Sequence, residues 1–379
     1  MIAVGLMSGT SLDGIDAALV RLQPRGRGYA IELLRFETVA FEPAVLEALR
    51  SLLPPSEGGI ATVAALHGAL GRAFGAAALR VAGEASVDFV ASHGQTIWHD
   101  GARSTTLQIG DAFAIREAVR ASVCYDFRSA DCAAGGHGAP LVPYVDALLF
   151  ADEREDRAAV NIGGIANVTL LPAGGEASAY DTGPGNMLLD AFVRERTQGA
   201  QEFDRGGEFA LAGRADAELL QAMLGDPYFE QAPPKSTGRE RFGVQFLARF
   251  GERFGRLSLE DGAATLTALT VAPIAGAVTA ARLQSPRVLI SGGGAHNAAM
   301  LAALRERLPG ARVEPSDALG IAGDAKEAIA FAVLGYETLR ERAANLPAAT
   351  GARRRVCLGA VAPYDLRALL ARVDAEITG

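Results

Sequence analysis

AVNIGGIANVTLLP, residues 159–172, is two apolar arms joined by a Gly-Gly tip. The arms are rich in valine, isoleucine and leucine and bracket the glycines closely, which predicts a β-hairpin whose tip carries little side-chain bulk. Such a tip leaves backbone N–H groups open to a close-approaching ligand, and asparagines at 161 and 167 flank it with polar groups. The same shape occurs at the start of the chain. VGLMSGTSLDGIDAAL, residues 4–19, is again an apolar arm, a tip of small and hydroxyl residues, and a second apolar arm. Two like hairpins some 150 residues apart imply two related lobes facing each other over a cleft.

Any α/β protein can contain two glycine-tipped hairpins, so a third segment decides the matter. RVLISGGGAHNAAMLAALRERL, residues 287–308, reads as a strand, three glycines, and a helix that starts immediately and turns Met300, Leu301, Leu304 and Leu308 to the core. Backbone amides at a helix N-terminus then face the glycines, an arrangement suited to phosphate. No Lys-Ser/Thr pair follows, which excludes a Walker A loop, and the glycine spacing is not that of a dinucleotide fold. Taken together, the two hairpins can grip the β- and γ-phosphates of a nucleotide while the third turn holds the nucleoside.

Between these segments strands and helices alternate. Helices are predicted at 43–53, from about 60 to 81 and from 110, a strand at 87–99, and a helix after the glycine-rich stretch at 135–143. The chain is therefore a layered α/β protein. Its 379 residues exceed the usual single domain, and 49% hydrophobic with 21% charged residues is ordinary for a soluble protein. A net charge of -8 argues against nucleic acid or an anionic membrane as partner. Met1 leads straight into IAVGL with no basic region or cleavage site, so the start reads as a strand and the location as cytoplasmic. ALTVAPIAGAVTAARL, residues 268–283, is interrupted by Pro273 and Arg282 and reads as a buried helix. Cys124, Cys132 and Cys357 show no paired spacing, and are expected to be reduced packing residues. Lysine occurs only at 235 and 326, all other basic residues being arginine. The lysines are thus weak functional candidates, with a solvated surface as the plainer reading.

GLMSGTSLDGID, SHGQTIWH, LQIGD, DFRSAD, GGHGAPLVP, NIGGIAN, YDTGPGNMLLDA, PPKSTGRE, SGGGAHN and GIAGDAKEAIAFA run in this order from residue 5 to residue 332. This set resembles the anhydro-N-acetylmuramic acid kinases, within the actin, Hsp70 and sugar-kinase superfamily. One departure is His137, where the commonest pattern has glutamine. The resemblance implies two related lobes of ribonuclease H-like type with ATP in the interlobe cleft. One lobe would hold residues 1–127 with about 345–379, the other 128–344, with 344–355 as a crossing segment. It further implies a reaction in which water opens the 1,6-ether of an anhydro-sugar and ATP phosphorylates the freed O6, and a homodimeric enzyme.

The residues can be matched to that chemistry. Asp181 is the expected general base, a strand-end carboxylate before a turn and a helix; an N-capping aspartate is the plainer alternative. Asp13 is the expected Mg²⁺ ligand, against an ordinary turn aspartate. Gly9, Thr10, Ser11, Gly163, Gly164, Asn167, Gly292, Gly293, Gly294 and Asn297 are the expected nucleotide contacts, against simple turn geometry for the glycines. Arg128 suits the lactyl carboxylate of the sugar, against a salt bridge to Asp126 or Asp131. Glu327 is expected on the sugar hydroxyls, although a glutamate at a helix start also complements the helix dipole. His93 and Trp98 could line the sugar pocket, and neither His93 nor His99 has metal-ligand spacing. Lys235 reads first as part of an exposed loop. A glycoside hydrolase would also use two carboxylates but needs no ATP, and a noncatalytic sugar sensor would need no base.

Overall fold

A computed structural model of the chain describes residues 1–9, 12–25, 28–52, 58–319 and 323–378. The chain divides into two units, Met1–Leu149 with Ala325–Gly379, and Phe150–Asp324.

The first unit is built on a seven-stranded sheet. β1 (Ile2–Ser8), β2 (Ile15–Arg25) and β3 (Gly28–Val39) form an antiparallel meander, and β4 (Phe89–Asp100) lies parallel to β1 on its other side. β5 (Thr105–Ile109) folds back on β4, while β6 (Ser122–Tyr125) continues the sheet parallel to β4. A short strand, Ala360–Ala362, closes that edge antiparallel to β6. The apolar run of β1 is buried almost throughout, as a central strand covered on both faces must be. The helix Ile60–Ala82 covers one region of the sheet through Leu66, Leu70, Phe74 and Val81. The helix Lys326–Leu339 presses so closely that a Cβ on Gly5 would lie 1.9 Å from the Ala328 carbonyl oxygen. A Cβ on Gly335 would meet the Ala91 side chain at 2.6 Å. This contact gives residues from 325 onward to the first unit. The boundaries accordingly fall at 149/150 and 324/325, against the 127/128 and 344/345 read from the sequence.

The second unit repeats the plan with five strands. β7 (Arg157–Ile162), β8 (Ile165–Leu171) and β9 (Ser178–Pro184) are an antiparallel meander, β10 (Arg287–Ser291) is parallel to β7, and β11 (Arg312–Pro315) is parallel to β10. Its sheet order, β11-β10-β7-β8-β9, matches β6-β4-β1-β2-β3 strand for strand. The pair of hairpins seen in the sequence thus belongs to two copies of one topology. Val160, Val168, Leu266, Ile274, Val288 and Met300 anchor the second core. Leu266 and Ile274 come from the helix Leu259–Ala280, whose apolar run is largely buried as expected. All three cysteines are free, with Cys357 exposed.

Candidate functional site

The tip of the β1–β2 hairpin is braced from beneath. Ser8 Oγ lies 2.6 Å from Gln95 Oε1 and 2.9 Å from the Gly14 carbonyl oxygen. Gln95 is fully buried and donates from Nε2 to the carbonyls of Gly9 and Thr96, at 3.3 and 3.2 Å. Each such bond contributes about 1 kcal/mol, but a buried amide left unpaired would cost more, so Gln95 ties β4 firmly to the tip. Leu12 N–H closes the turn on Gly9 O at 3.3 Å. Thr10 and Ser11 lie outside the described residues. Asp13 is exposed, and its carboxylate has no hydrogen bond or ion pair among the described residues. No cluster of three potential metal-ligating side chains occurs among those residues.

Arg128, just past β6, donates from Nε to His93 Nε2 at 2.9 Å and from Nη1 to Gly138 O at 2.7 Å. His93 Nδ1 sits 2.9 Å from Gly94 O, so the network assigns the ring proton to Nδ1 and leaves Nε2 to accept. Burial, with the Arg128 charge second, holds the His93 pKa well below its ordinary value and keeps the ring neutral. Burial lowers Arg128 to about 10, opposed first by the nearby Glu327 charge, so the guanidinium remains charged. Neither expected salt-bridge alternative forms. Asp126 Oδ1 accepts from Ser129 N–H and hydroxyl. Asp131 accepts from Asn345, Thr350 and Gly138 N–H. Glu327 is pushed up by burial and then by Asp16, while Lys326 and Arg128 pull it down. Lys326 is itself buried in an ion pair with Asp146 at 2.8 Å. His93 also helps line a cavity of about 220 Å³ with Ser92, Gly94, Tyr125, Asp126 and Ser129 among others. Trp98 is not on that lining. It is 51% exposed on the β4–β5 ribbon opposite Leu107.

In the second unit, two glycine elements meet. At the β7–β8 tip, Gly163 O accepts from Asn186 N–H at 2.7 Å, and Gly164 O accepts from Gly185 and Met187 N–H at 2.9 and 3.2 Å. The tip thereby occupies amides at the start of the helix Met187–Arg196. A Cβ on Gly163 would meet nothing nearer than 3.7 Å, so that side of the tip is open. Gly292, at φ 75°, is different: a Cβ there would lie 2.7 Å from Asn161 Oδ1 and 2.8 Å from Ile162 O. A Cβ on Gly294 would collide with the Ile162 side chain at 2.5 Å, and one on Gly293 would stand 3.1 Å from Asn186 Nδ2. The third turn therefore packs directly on the second hairpin. The helix does not follow the glycines at once. Gly293–His296 make a 3₁₀ turn, and the buried Asn297 caps the helix Ala298–Arg307 by accepting Met300 N–H at 3.0 Å. The cap matters because a helix start without one leaves amides unpaired.

Asp181 stands within β9, directly across from Asn167 on β8. It is not at the strand end: the strand runs on to Pro184, with an irregularity opposite Ala166 and Asn167. Nor is it a cap, since Asn186 holds the N-cap position of the following helix. Three contacts fix it. Its N–H donates to Lys235 O at 3.2 Å, its carbonyl accepts from Tyr228 hydroxyl at 2.7 Å, and its Oδ2 accepts from Thr237 N–H at 3.0 Å. Burial raises its pKa from 3.8 to about 6; the Thr237 bond opposes the rise and Glu240 adds to it. Lys235 donates to Tyr228 O at 3.1 Å and lies 4.6 Å from that ring's centroid, so the 233–237 segment is held on Asp181 rather than standing free as a loop. Gln95, Tyr228 and Thr237 escaped sequence reasoning. Thr237 lies in a stretch already noted, PPKSTGRE, but its target on β9 is a tertiary fact.

A sequence model of the family described as "Anhydro-N-acetylmuramic acid kinase" matches residues 1–364. Among curated relatives, a protein of that name from Xanthomonas axonopodis pv. citri is 45% identical over 95% of this chain and 97% of its own length. Another, from Streptomyces coelicolor, is 42% identical over 96% and 94%. A third, from Caldanaerobacter subterraneus subsp. tengcongensis, is 39% identical over 95% and 96%. A solved ROK family glucokinase from Streptomyces griseus, in complex with glucose and AMPPNP, covers 88% of this chain and 99% of its own at 14% identity and a TM-score of 0.39.

Proposed function

Since the chain belongs to the anhydro-N-acetylmuramic acid kinase family, we propose that it hydrolyses the internal ether of 1,6-anhydro-N-acetylmuramic acid and phosphorylates O6 from ATP. The product is N-acetylmuramic acid 6-phosphate, an intermediate of cell-wall recycling in the cytoplasm. The observation that carries this reading is Asp181, a partly buried carboxylate with a pKa raised to about 6 and Oδ2 already bonded. Ionised at neutral pH yet far more basic than an ordinary aspartate, it suits proton abstraction from water. In the reaction the water oxygen bonds to C1 and one proton passes to Asp181. The C1–O6 bond breaks, and O6 attacks the γ-phosphorus with ADP departing.

The first unit supplies sugar-binding groups. Arg128 has Nε and Nη1 committed to His93 and Gly138, while Nη2 has no partner among the described residues, leaving a donor for the lactyl carboxylate. Glu327 accepts from sugar hydroxyls, and the neutral His93 holds the guanidinium in place. For ATP we assign Gly9, Thr10 and Ser11 from the first hairpin, Gly163, Gly164 and Asn167 from the second, and Gly292–Gly294 with Asn297 from the third turn. The exposed carboxylate of Asp13, unpartnered among the described residues, suits Mg²⁺, an ion that takes one or two carboxylates and keeps waters and phosphate oxygens for the rest. When bound, that ion neutralises charge building on the phosphate oxygens.

Mass spectrometry of the reaction in ¹⁸O-water tests this. A phosphorylated sugar carrying ¹⁸O at its anomeric carbon, absent when ATP is omitted, is expected. Ring opening without ATP would establish the hydrolase instead, and ATP binding with no sugar product would favour a sensor.

A further inference from the structure

The carboxylate proposed as the base is held by a residue whose own hydroxyl the fold leaves unused. Thr237 gives its N–H to Asp181 Oδ2 at 3.0 Å, yet its Oγ1 is buried and has no hydrogen-bond partner among the described residues. Native proteins leave few buried polar atoms unpaired, and such an atom beside a reactive group points to a ligand that completes it. Asp181 Oδ1 likewise takes no hydrogen bond from the described residues, because the threonine amide addresses Oδ2 alone. One oxygen of the base and the buried hydroxyl of the residue that grips it, both without a partner among the described residues, thus belong to side chains joined by a single hydrogen bond. The segment cannot drift easily, since Lys235 O holds Asp181 N–H and Lys235 Nζ holds Tyr228 O.

We propose that Thr237 is a positioning residue for the attacking water, which gives one O–H to Asp181 Oδ1 and the other to Thr237 Oγ1. A water so held turns a lone pair toward the anomeric carbon. On attack its oxygen bonds to C1, the proton shared with Oδ1 passes to Asp181, and the proton shared with Thr237 stays on the new anomeric hydroxyl as C1–O6 breaks. Threonine neither gains nor loses a proton; it fixes direction, and the gain is in orientation. This inference rests on Asp181 being the base.

Steady-state kinetics on Thr237→Val, Thr237→Ser and Asp181→Asn, each with a melting curve, tests it. Valine keeps the amide and the shape but removes the hydroxyl. Its kcat should fall roughly 10- to 100-fold, in the range for losing one positioned hydrogen-bonding group. The KM values for sugar and ATP, and the acid limb of the pH profile, should stay in place because the amide bond to Oδ2 persists. Serine should restore most of the turnover. If valine fails to fold, Thr237→Ala makes the same comparison. Valine turning over within about twofold of the parent overturns the role given to the hydroxyl. A loss in serine that valine does not share overturns it in favour of packing by the threonine methyl. Full turnover by Asp181→Asn overturns the base reading itself, which separates the two failures.

Discussion

Replacing Asp181 by asparagine removes a charge that the fold disfavours, so the substitution should abolish turnover and stabilise the protein together. The rise in pKa from 3.8 to about 6 corresponds to about 3 kcal/mol at 1.36 kcal/mol per pH unit. Part of that relaxes through the residual exposure of the side chain, leaving about 2 kcal/mol. The asparagine oxygen can still accept Thr237 N–H, so no compensating bond is lost. For a cooperative unit of about 150–250 residues, 1 kcal/mol moves Tm by about 2–4 °C, which predicts a gain of about 4–8 °C. The sign depends on pH. Because the folded-state pKa lies above the unfolded one, the wild-type penalty is absent below about pH 4, grows through the interval to about 6, and is complete above it. Thermal unfolding by circular dichroism, without ligands, at pH 4.5 and pH 8 reads this directly. The variant should pull ahead of wild type only as pH rises, while kcat falls roughly 10²–10⁴-fold. A variant that melts no higher than wild type at pH 8, or a gap that ignores pH, refutes the claim that burial governs this carboxylate. Normal turnover refutes its role as base.

Two other substitutions probe the first unit. Arg128→Ala should raise KM for the sugar by about 10- to 100-fold, the loss of a charge-assisted bond, while KM for ATP moves little; parallel changes in both would mean that Arg128 serves only to hold His93 and the Gly138 loop. Asp13→Asn should raise the Mg²⁺ concentration needed for half-maximal rate, and an unaltered metal titration would move the ion to another ligand.

What the sequence made legible were features encoded locally. The β-branched arms and glycine tips of β1–β2 and β7–β8 announce themselves, because alternation and turn chemistry act over a few residues. β3 is not legible locally: Pro24 and Gly26 mark a turn before it, but GYAIELLRFETV mixes charged and apolar residues in a half-buried edge position without clean alternation. The start of the helix Ala298–Arg307 was set too early because Asn297 could equally cap or continue, and only its bond to Met300 N–H decides. Asp181 was identified but misplaced on its strand, since the irregularity that lets β9 continue depends on its pairing with β8. The supports of the site were hidden for a deeper reason. Gln95, Tyr228 and Thr237 act on partners far away in sequence, and nothing in their own neighbourhoods distinguishes them from scaffold.

The close seat of the helix Lys326–Leu339 on β1 also bears on how the chain is made. Residues 150–324 form one unbroken stretch, so the second unit has all of its strands once they have emerged from the ribosome. The first unit does not: β1 emerges early but waits for Ala328 and Ala332 to cover it. Because chains fold as units during synthesis, the half that begins first should finish last. Until then the almost wholly apolar β1 lacks its cover, making the nascent first half a natural client for chaperones.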